Sequence, residues 1–147
     1  MPALRVIYTR SRTVGSVLIR AGAWWGPWSH CGLVDGAEVI ECLATRGGVV
    51  VTPLEQVIER SSESAEVEIP CPRPELGIEW ARSTVGQPYD WGGVLAIPFR
   101  ARDWQSPGRW YCSEHVEAAL VRAGAERWRP GLRGISPCQS YFNASAS

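Results

Sequence analysis

Two strand-forming runs joined by Asp-Gly are the feature that most constrains the fold of this chain. Residues 29–34 read Ser-His-Cys-Gly-Leu-Val and residues 37–43 read Ala-Glu-Val-Ile-Glu-Cys-Leu, with Asp35 and Gly36 between them. Both runs favour strands, and Asp-Gly between such runs is the strongest short-range signal for a β-hairpin. The sequence therefore predicts an antiparallel hairpin at this point of the chain.

The register of this hairpin brings one histidine and one carboxylate together. With Asp35 and Gly36 as a two-residue turn, His30 lies directly opposite Glu41 on the same face of the sheet. Directly opposed Cβ atoms are about 4.5–5.5 Å apart. A carboxylate there can accept a hydrogen bond from one imidazole nitrogen and leave the other free, as the third member of a catalytic triad does. An ordinary cross-strand polar pair on a solvated face is the alternative, and both interpretations stay open.

A second pattern places a cysteine in the first turn of a helix. Pro107 and Gly108 break the chain, and Gly124 marks the end of a run of apolar residues that recur at helical spacing: Val116, Ala119, Leu120 and Ala123. The unpaired N–H groups and the positive dipole end of a helix favour an anion at its N-terminus. A thiolate is such an anion, so Cys112 is a candidate nucleophile. A buried structural cysteine is the alternative.

Strand and helix patterns follow each other along the rest of the chain without an internal repeat or a boundary, which predicts a single domain over residues 1–147. Further strands are predicted at 4–9, 48–51 and 65–69. Helices are predicted at 13–21, 53–60 and 75–85, and Ser136-Pro137 opens a short C-terminal helix or coil.

Composition excludes several classes of function. The formal net charge is zero, and the basic residues are scattered arginines, so neither nucleic acid nor an anionic membrane surface is an expected partner. The N-terminal apolar run is too short for a signal peptide or a transmembrane segment, which predicts a cytoplasmic location, with release by lysis or export by a partner as alternatives. Five cysteines without paired spacing predict reduced thiols.

A zinc site is the competing interpretation of the same residues. Zinc-type ligands occur in the hairpin and at the predicted helix start: His30, Cys31, Cys42 and Cys112. Strand alternation nevertheless points His30 and Cys31 to opposite faces, and no Cys-x-x-Cys spacing is present. The sequence therefore predicts no metal site.

Three segments resemble one family of cysteine peptidases. Residues 86–93 read Gly-Gln-Pro-Tyr-Asp-Trp-Gly-Gly, which is similar to the Gly-x-Pro-Tyr-x-Trp-Gly-Gly segment of NlpC-type peptidases. Residues 111–114 read Tyr-Cys-Ser-Glu, similar to the motif that begins the nucleophile helix in that family. The matching His-x-Gly strand, residues 29–34, precedes the cysteine here, and that order resembles the circularly permuted YiiX-type branch, which includes relatives of lecithin retinol acyltransferase.

The resemblance implies an α+β, papain-like core in which an antiparallel sheet packs against the nucleophile helix. It implies Cys112 as nucleophile, His30 as base and Glu41 as the orienting residue. Tyr89 would lie near the thiol and help to bind substrate or oxyanion, although the stretch from Tyr89 to Cys112 is longer than in the ordinary peptidases. Because Trp28 directly precedes the histidine strand, it is predicted to border the same groove.

The resemblance further implies a cysteine hydrolase or amidase that works through a thioester without a metal or other cofactor. Amide bonds of peptides, such as those of the cell wall, are the first expected substrates. A lipid ester or amide acyl hydrolase or acyltransferase of the same fold is one alternative, and a catalytically silent binding module is another. The sequence indicates no oligomeric state.

Overall fold

One antiparallel sheet organises the part of the protein that the computed structural model describes, which is residues 1–11, 26–92, 108–128 and 135–145. Its strands are β1 (Ala3–Arg10), β2 (His30–Asp35), β3 (Glu38–Leu43), β4 (Gly48–Pro53) and β5 (Glu63–Pro70). The order across the sheet is β4-β3-β2-β1-β5, and every neighbouring pair is antiparallel. The predicted strands are therefore confirmed.

The described α-helices are α1 (Leu54–Glu59), α2 (Pro74–Ser83), α3 (Cys112–Arg122) and α4 (Pro137–Ser145), and a short 3-10 helix spans Ala44–Arg46. The α+β class is confirmed. The predicted helix at 13–21 lies outside the described residues. Among those described, no helix has the length and apolar character needed to cross a lipid bilayer.

The predicted hairpin forms, but the predicted register of its two strands was wrong. Glu41 pairs with Gly32 rather than with His30, so each β2 residue pairs two positions further along β3 than expected. The two residues between the paired ends Asp35 and Glu38 are Gly36 and Ala37, and Gly36 has a φ of 61°. Hairpin turns of the primed types need positive φ at the first central position, which glycine supplies without steric cost. A shift of two residues preserves side-chain alternation, so His30 and Glu41 still share a face as diagonal neighbours.

The sheet buries apolar side chains on both of its faces. Leu33 of β2 belongs to the main core with Val116 and Leu120 of α3. Val34, on the opposite face, packs with Val57 of α1 in a smaller cluster. Both faces of β2 are thus covered, and α3 begins against the strand that carries His30.

The C-terminal helix α4 starts with two reciprocal hydrogen bonds between Ser136 and Gln139. The Gln139 backbone N–H donates to the Ser136 hydroxyl at 3.2 Å, and the Ser136 N–H donates to the Gln139 side-chain oxygen at 2.9 Å. This arrangement is a capping box, which satisfies backbone donors at a helix N-terminus. The predicted helix start at Ser136-Pro137 is therefore confirmed.

The segment that precedes Asp90 joins β4 to the residues before α3. The Val49 N–H donates to the Gln87 carbonyl at 3.0 Å, and the Trp110 N–H donates to the Pro88 carbonyl at 3.1 Å. The Asp90 N–H in turn donates to the Trp110 carbonyl at 2.8 Å. This backbone pairing fixes the approach to Cys112, because Trp110 lies only two residues before it.

Replacing Gly48 with alanine tests this connection. A Cβ on Gly48 would lie 1.9 Å from the carbonyl oxygen of Gln87, so the backbone must move. We expect Gly48→Ala to lower the free energy of unfolding by about 2–3 kcal/mol, as overpacking does. Gly36→Ala is the control, because its Cβ meets nothing within 4 Å and only the positive φ costs about 1–2 kcal/mol. Urea denaturation that ranks Gly36→Ala as the more damaging change would contradict this account.

Candidate active site

The side chain of Cys112 lies at the first residue of α3, as the sequence predicts. Tyr111 precedes it as an extended N-cap residue that makes no side-chain capping hydrogen bond. The backbone donors of this first turn are therefore not satisfied by a cap side chain, and they favour negative charge. Cys112 is only 5% exposed, so a thiolate there is largely shielded from water.

Two neighbours on β2 stabilise that thiolate. The Cys31 side chain is the largest cause that holds the pKa of Cys112 well below its ordinary value. Burial opposes the effect, but the His30 ring and the Cys31 backbone also lower the pKa of Cys112. Together these neighbours favour the thiolate form of Cys112.

His30 joins Cys112 to Glu41. Its Nε2 donates to Glu41 Oε2 at 2.7 Å, which leaves Nδ1 for the thiolate. Burial lowers the pKa of His30, but hydrogen bonds with Cys112 and Glu41 more than offset this and raise it to about 9. These shifts favour a thiolate–imidazolium pair of Cys112 and His30.

Glu41 is a fully buried carboxylate with two basic partners. Besides His30, the Arg60 guanidinium donates to the same oxygen, Oε2. Burial raises the pKa of Glu41, but the bonds from His30 and Arg60 outweigh it and lower the pKa to about 2. Gly32 lies directly opposite Glu41, and a Cβ there would approach the Glu41 Cβ to 3.1 Å. The absent side chain leaves room for the diagonal contact between His30 and Glu41.

Sequence reasoning missed two residues of this arrangement. Arg60 follows α1, and only the packing of that helix on the sheet brings its guanidinium to Glu41. Cys31 was assigned to the face opposite His30, and it does belong to the main core. Alternation along one strand does not account for the pKa of Cys112, which both residues at the start of β2 lower. The proximity of Cys31 to His30 in sequence was the available signal.

Tyr89 lies in the electrostatic neighbourhood of the thiol. It is 6% exposed, and its ring packs on Trp91 with 5.0 Å between centroids. Burial raises the pKa of Tyr89, and the nearby Cys112 and Cys42 raise it further. The phenol therefore stays protonated and able to donate, whereas its contact with substrate or oxyanion remains a prediction.

Trp28 lies in an aromatic cluster rather than in an open groove wall. Its ring packs against Tyr8 and Tyr141, with centroids 6.5 and 5.2 Å away, and its backbone N–H donates to Cys138 Sγ at 3.2 Å. Only 7% of Trp28 is exposed, so little of its surface is available to a substrate. Trp24 and Trp25 lie outside the described residues.

The second histidine does not belong to the candidate site. His115 is fully buried, bonds the Thr84 hydroxyl through Nε2 at 2.8 Å, and packs against the rings of Trp80 and Trp110. Burial lowers the pKa of His115 to about 4, so its ring is neutral at pH 7.

Comparison with solved structures identifies one fold. The crystal structure of YiiX from Escherichia coli O157:H7, described as a metalloprotein and as DUF1105, matches with a TM-score of 0.63 and 23% identity, over 86% of this chain and 69% of that one. This chain has a YiiX-like fold. No protein-family model matches it, and no curated protein is significantly similar in sequence.

The described side chains do not fit a metal centre. Within residues 1–11, 26–92, 108–128 and 135–145, no group of three or more His, Cys, Asp or Glu side chains is arranged to hold a metal ion. Protein zinc sites need at least three such ligands. At the candidate site, His30 is instead engaged by Glu41 through Nε2.

Selective alkylation tests the charge state of Cys112. Because its pKa is lowered, iodoacetamide at pH 6 is expected to modify Cys112 first, with a rate that falls only at lower pH, where the thiolate is protonated. Burial raises the pKa values of Cys31 and Cys42, so these thiols are expected to react slowly. Peptide mapping of the label, with Cys112→Ser as the control, measures this. Equal labelling of all five cysteines would contradict the ion pair.

Titration of the two histidines by NMR tests the electrostatics directly. His30 is expected to titrate near 9 and His115 near 4, on opposite sides of the ordinary value of 6.5. Arg60→Met removes a positive charge that neutralises Glu41, so the pKa of His30 should rise further, whereas Arg60→Lys should leave it near the original value. An unchanged or lowered pKa in Arg60→Met would show that the guanidinium does not act through Glu41.

Proposed function

We propose that this chain is a cysteine hydrolase of the circularly permuted, papain-like NlpC type, which cleaves peptide amide bonds through a thioester. The observation that carries the proposal is the hydrogen bond from His30 to the buried carboxylate of Glu41, together with the pKa shifts of His30 and Cys112 that favour a thiolate–imidazolium pair. An activated thiolate beside an oriented acid–base group is the arrangement that nucleophilic catalysis requires. The YiiX-like fold is compatible with it.

Each residue then has a defined step. The Cys112 thiolate attacks the carbonyl carbon and forms a tetrahedral intermediate. The His30 imidazolium protonates the leaving amine, which departs as the thioester forms, and the neutral ring then takes a proton from the attacking water. Collapse of the second intermediate releases the acid and regenerates the thiolate–imidazolium pair. Glu41 holds Nε2 of the ring, which leaves Nδ1 for proton transfer.

The oxyanion needs hydrogen-bond donors in the same place. The backbone N–H of Cys112 is one candidate, since the first-turn donors of a helix have no partner within that helix. The Tyr89 hydroxyl is the second candidate, because burial and the nearby thiol keep it protonated. Two such donors would stabilise the charge that develops on the carbonyl oxygen.

The resemblance to NlpC-type peptidases favours peptide substrates, including those of the cell wall. The branch related to lecithin retinol acyltransferase makes a lipid acyl substrate the competing choice. Trp91, 58% exposed and packed on Tyr89, supplies an apolar surface near the site that suits either an aliphatic acyl chain or a peptide side chain. A substrate panel separates the two.

Hydrolysis assays with peptide and lipid substrates test the proposal. Stem peptides of peptidoglycan and a short-chain phospholipid are incubated with the protein, and products are identified by mass spectrometry. We expect peptide cleavage that Cys112→Ser abolishes, because an alcohol is a far weaker nucleophile in this site. Lipid cleavage alone would favour the acyl hydrolase. Full turnover in Cys112→Ser would contradict the covalent mechanism, and no turnover of either class in the unaltered protein would favour a binding module.

Glu41 and Glu38 provide a matched pair of variants on one strand. Glu41→Gln removes the charge that supports the imidazolium and should lower kcat by about tenfold to 10⁴-fold. Glu38 is half-exposed on the opposite face and pairs with Arg82, so Glu38→Gln should change kcat little. A silent Glu41→Gln together with a harmful Glu38→Gln would contradict the assignment of the orienting residue.

A further inference from the structure

A guanidinium outside the predicted triad acts on the candidate site. The Arg60 side chain donates to Oε2 of Glu41, the same oxygen that accepts the hydrogen bond from His30 Nε2. The side chain of Glu41 is fully buried, whereas that of Arg60 is 38% exposed. We propose that Arg60 is a positioning residue, which acts through Glu41 to keep His30 able to serve as a base when the thioester is hydrolysed. This inference rests on the proposed function and deepens it.

The fold fixes the backbone of Arg60 against the sheet. Val57, three positions earlier, is fully buried and packs with Val34 of β2. Residues three apart lie on the same side of a helix, so Arg60 faces the sheet as Val57 does. The Arg60 N–H donates to the Gln56 carbonyl at 3.2 Å, which continues the helical hydrogen bonding past the end of α1. The guanidinium therefore reaches Glu41 from an anchored point of the chain.

Two donors on one oxygen orient the carboxylate of Glu41. The last side-chain torsion of glutamate is broad, so a carboxylate with a single partner can rotate. The bond from Arg60 holds Oε2 at the place where His30 Nε2 needs an acceptor. The guanidinium also keeps its proton in proteins, so it supplies a constant positive charge. That charge partly neutralises Glu41 and weakens the hold of the carboxylate on the imidazolium proton.

The charges that face His30 change during the proposed reaction. In the resting protein, Glu41 of β3 and Cys112 of α3 both raise the pKa of His30. Thr9, which pairs with His30 from β1, has no ionisable group. In the thioester, Cys112 carries no negative charge, so Glu41 is the remaining anion of this pair. Arg60 then determines how strongly that anion favours the protonated ring.

The consequence falls on deacylation. A general base must be neutral before it can take a proton from water. Without the guanidinium, Glu41 would stabilise the imidazolium more strongly, and fewer thioester molecules would hold His30 in its neutral form. When the pH lies below the pKa of a base, one pH unit in that pKa changes its neutral fraction about tenfold. Loss of Arg60 is therefore expected to slow hydrolysis of the thioester rather than its formation.

Acylation and deacylation can be measured separately with p-nitrophenyl acetate. Because p-nitrophenolate leaves without a proton, the burst reports attack by Cys112 and the steady phase reports hydrolysis of the acetyl thioester. In Arg60→Met we expect a burst rate near the original value and deacylation about tenfold slower at pH 7. The limb of the deacylation profile that reports His30 should move to higher pH. Arg60→Lys keeps the charge and should restore most of the deacylation rate.

Arg82→Met is the matched control. Arg82 pairs with Glu38, a half-exposed carboxylate on the same strand as Glu41, so its loss removes an equal charge away from the candidate site. Both the burst and the deacylation rate should stay at their original values in this variant.

NMR titration after alkylation supplies a readout that needs no turnover. Iodoacetamide caps Cys112 and removes its negative charge, as the thioester does. In the capped protein, Arg60→Met should raise the pKa of His30 relative to the capped original chain, and Arg60→Lys should leave it near the original value. If Arg60→Met does not fold, Arg60→Gln replaces it in both measurements, since it also lacks the charge.

Each contrary result has a distinct meaning. Equal loss of the burst and of deacylation in Arg60→Met would assign a purely structural role to Arg60 and overturn the inference. An unchanged or lowered pKa of His30 in the capped variant would also overturn it. A burst in the original chain, with deacylation unchanged in Arg60→Met, would refute the inference alone. No burst in the original chain, together with a raised pKa of His30 in the capped variant, would refute the proposed function and support the action of Arg60 on His30.

Discussion

The hydrogen bond between His30 and Glu41 is the interaction on which the candidate site depends. A buried carboxylate is costly unless it is paired, and Glu41 has both an imidazole and a guanidinium as partners. The same bond decides which ring nitrogen faces Cys112 and stabilises the charge of the ring. Orientation and protonation of His30 therefore have a single physical origin.

Backbone hydrogen bonds fix the position of the Cys112 thiol. Trp110, two residues before Cys112, exchanges hydrogen bonds with Pro88 and Asp90, while Val49 on β4 bonds to Gln87. The segment that resembles an NlpC motif thus connects the edge of the sheet to the residues before α3. Tyr89 belongs to this connecting segment, and the same backbone pairing therefore fixes its position.

The sequence predicted the elements better than the contacts between them. The hairpin strands, the shared face of His30 and Glu41 and the start of α3 follow from local periodicity and helix signals, which the structure reproduces. The register did not follow, because Asp-Gly offered two placements of the turn and Gly36 takes the first central position. The contacts of Arg60 and Cys31 arise from packing between distant segments, about which periodicity carries no information.

The position of Cys112 makes its reactivity a property of the folded chain. Its thiolate is stabilised by β2, by the turn of helix that it begins and, through His30, by β3 and the residue that follows α1. A newly made or unfolded chain lacks all of these neighbours, so its cysteine has the ordinary pKa of about 8.5 and is mostly an inert thiol at neutral pH. The candidate nucleophile consequently gains its reactivity only on folding, and a chain that is still incomplete does not yet present it to its surroundings.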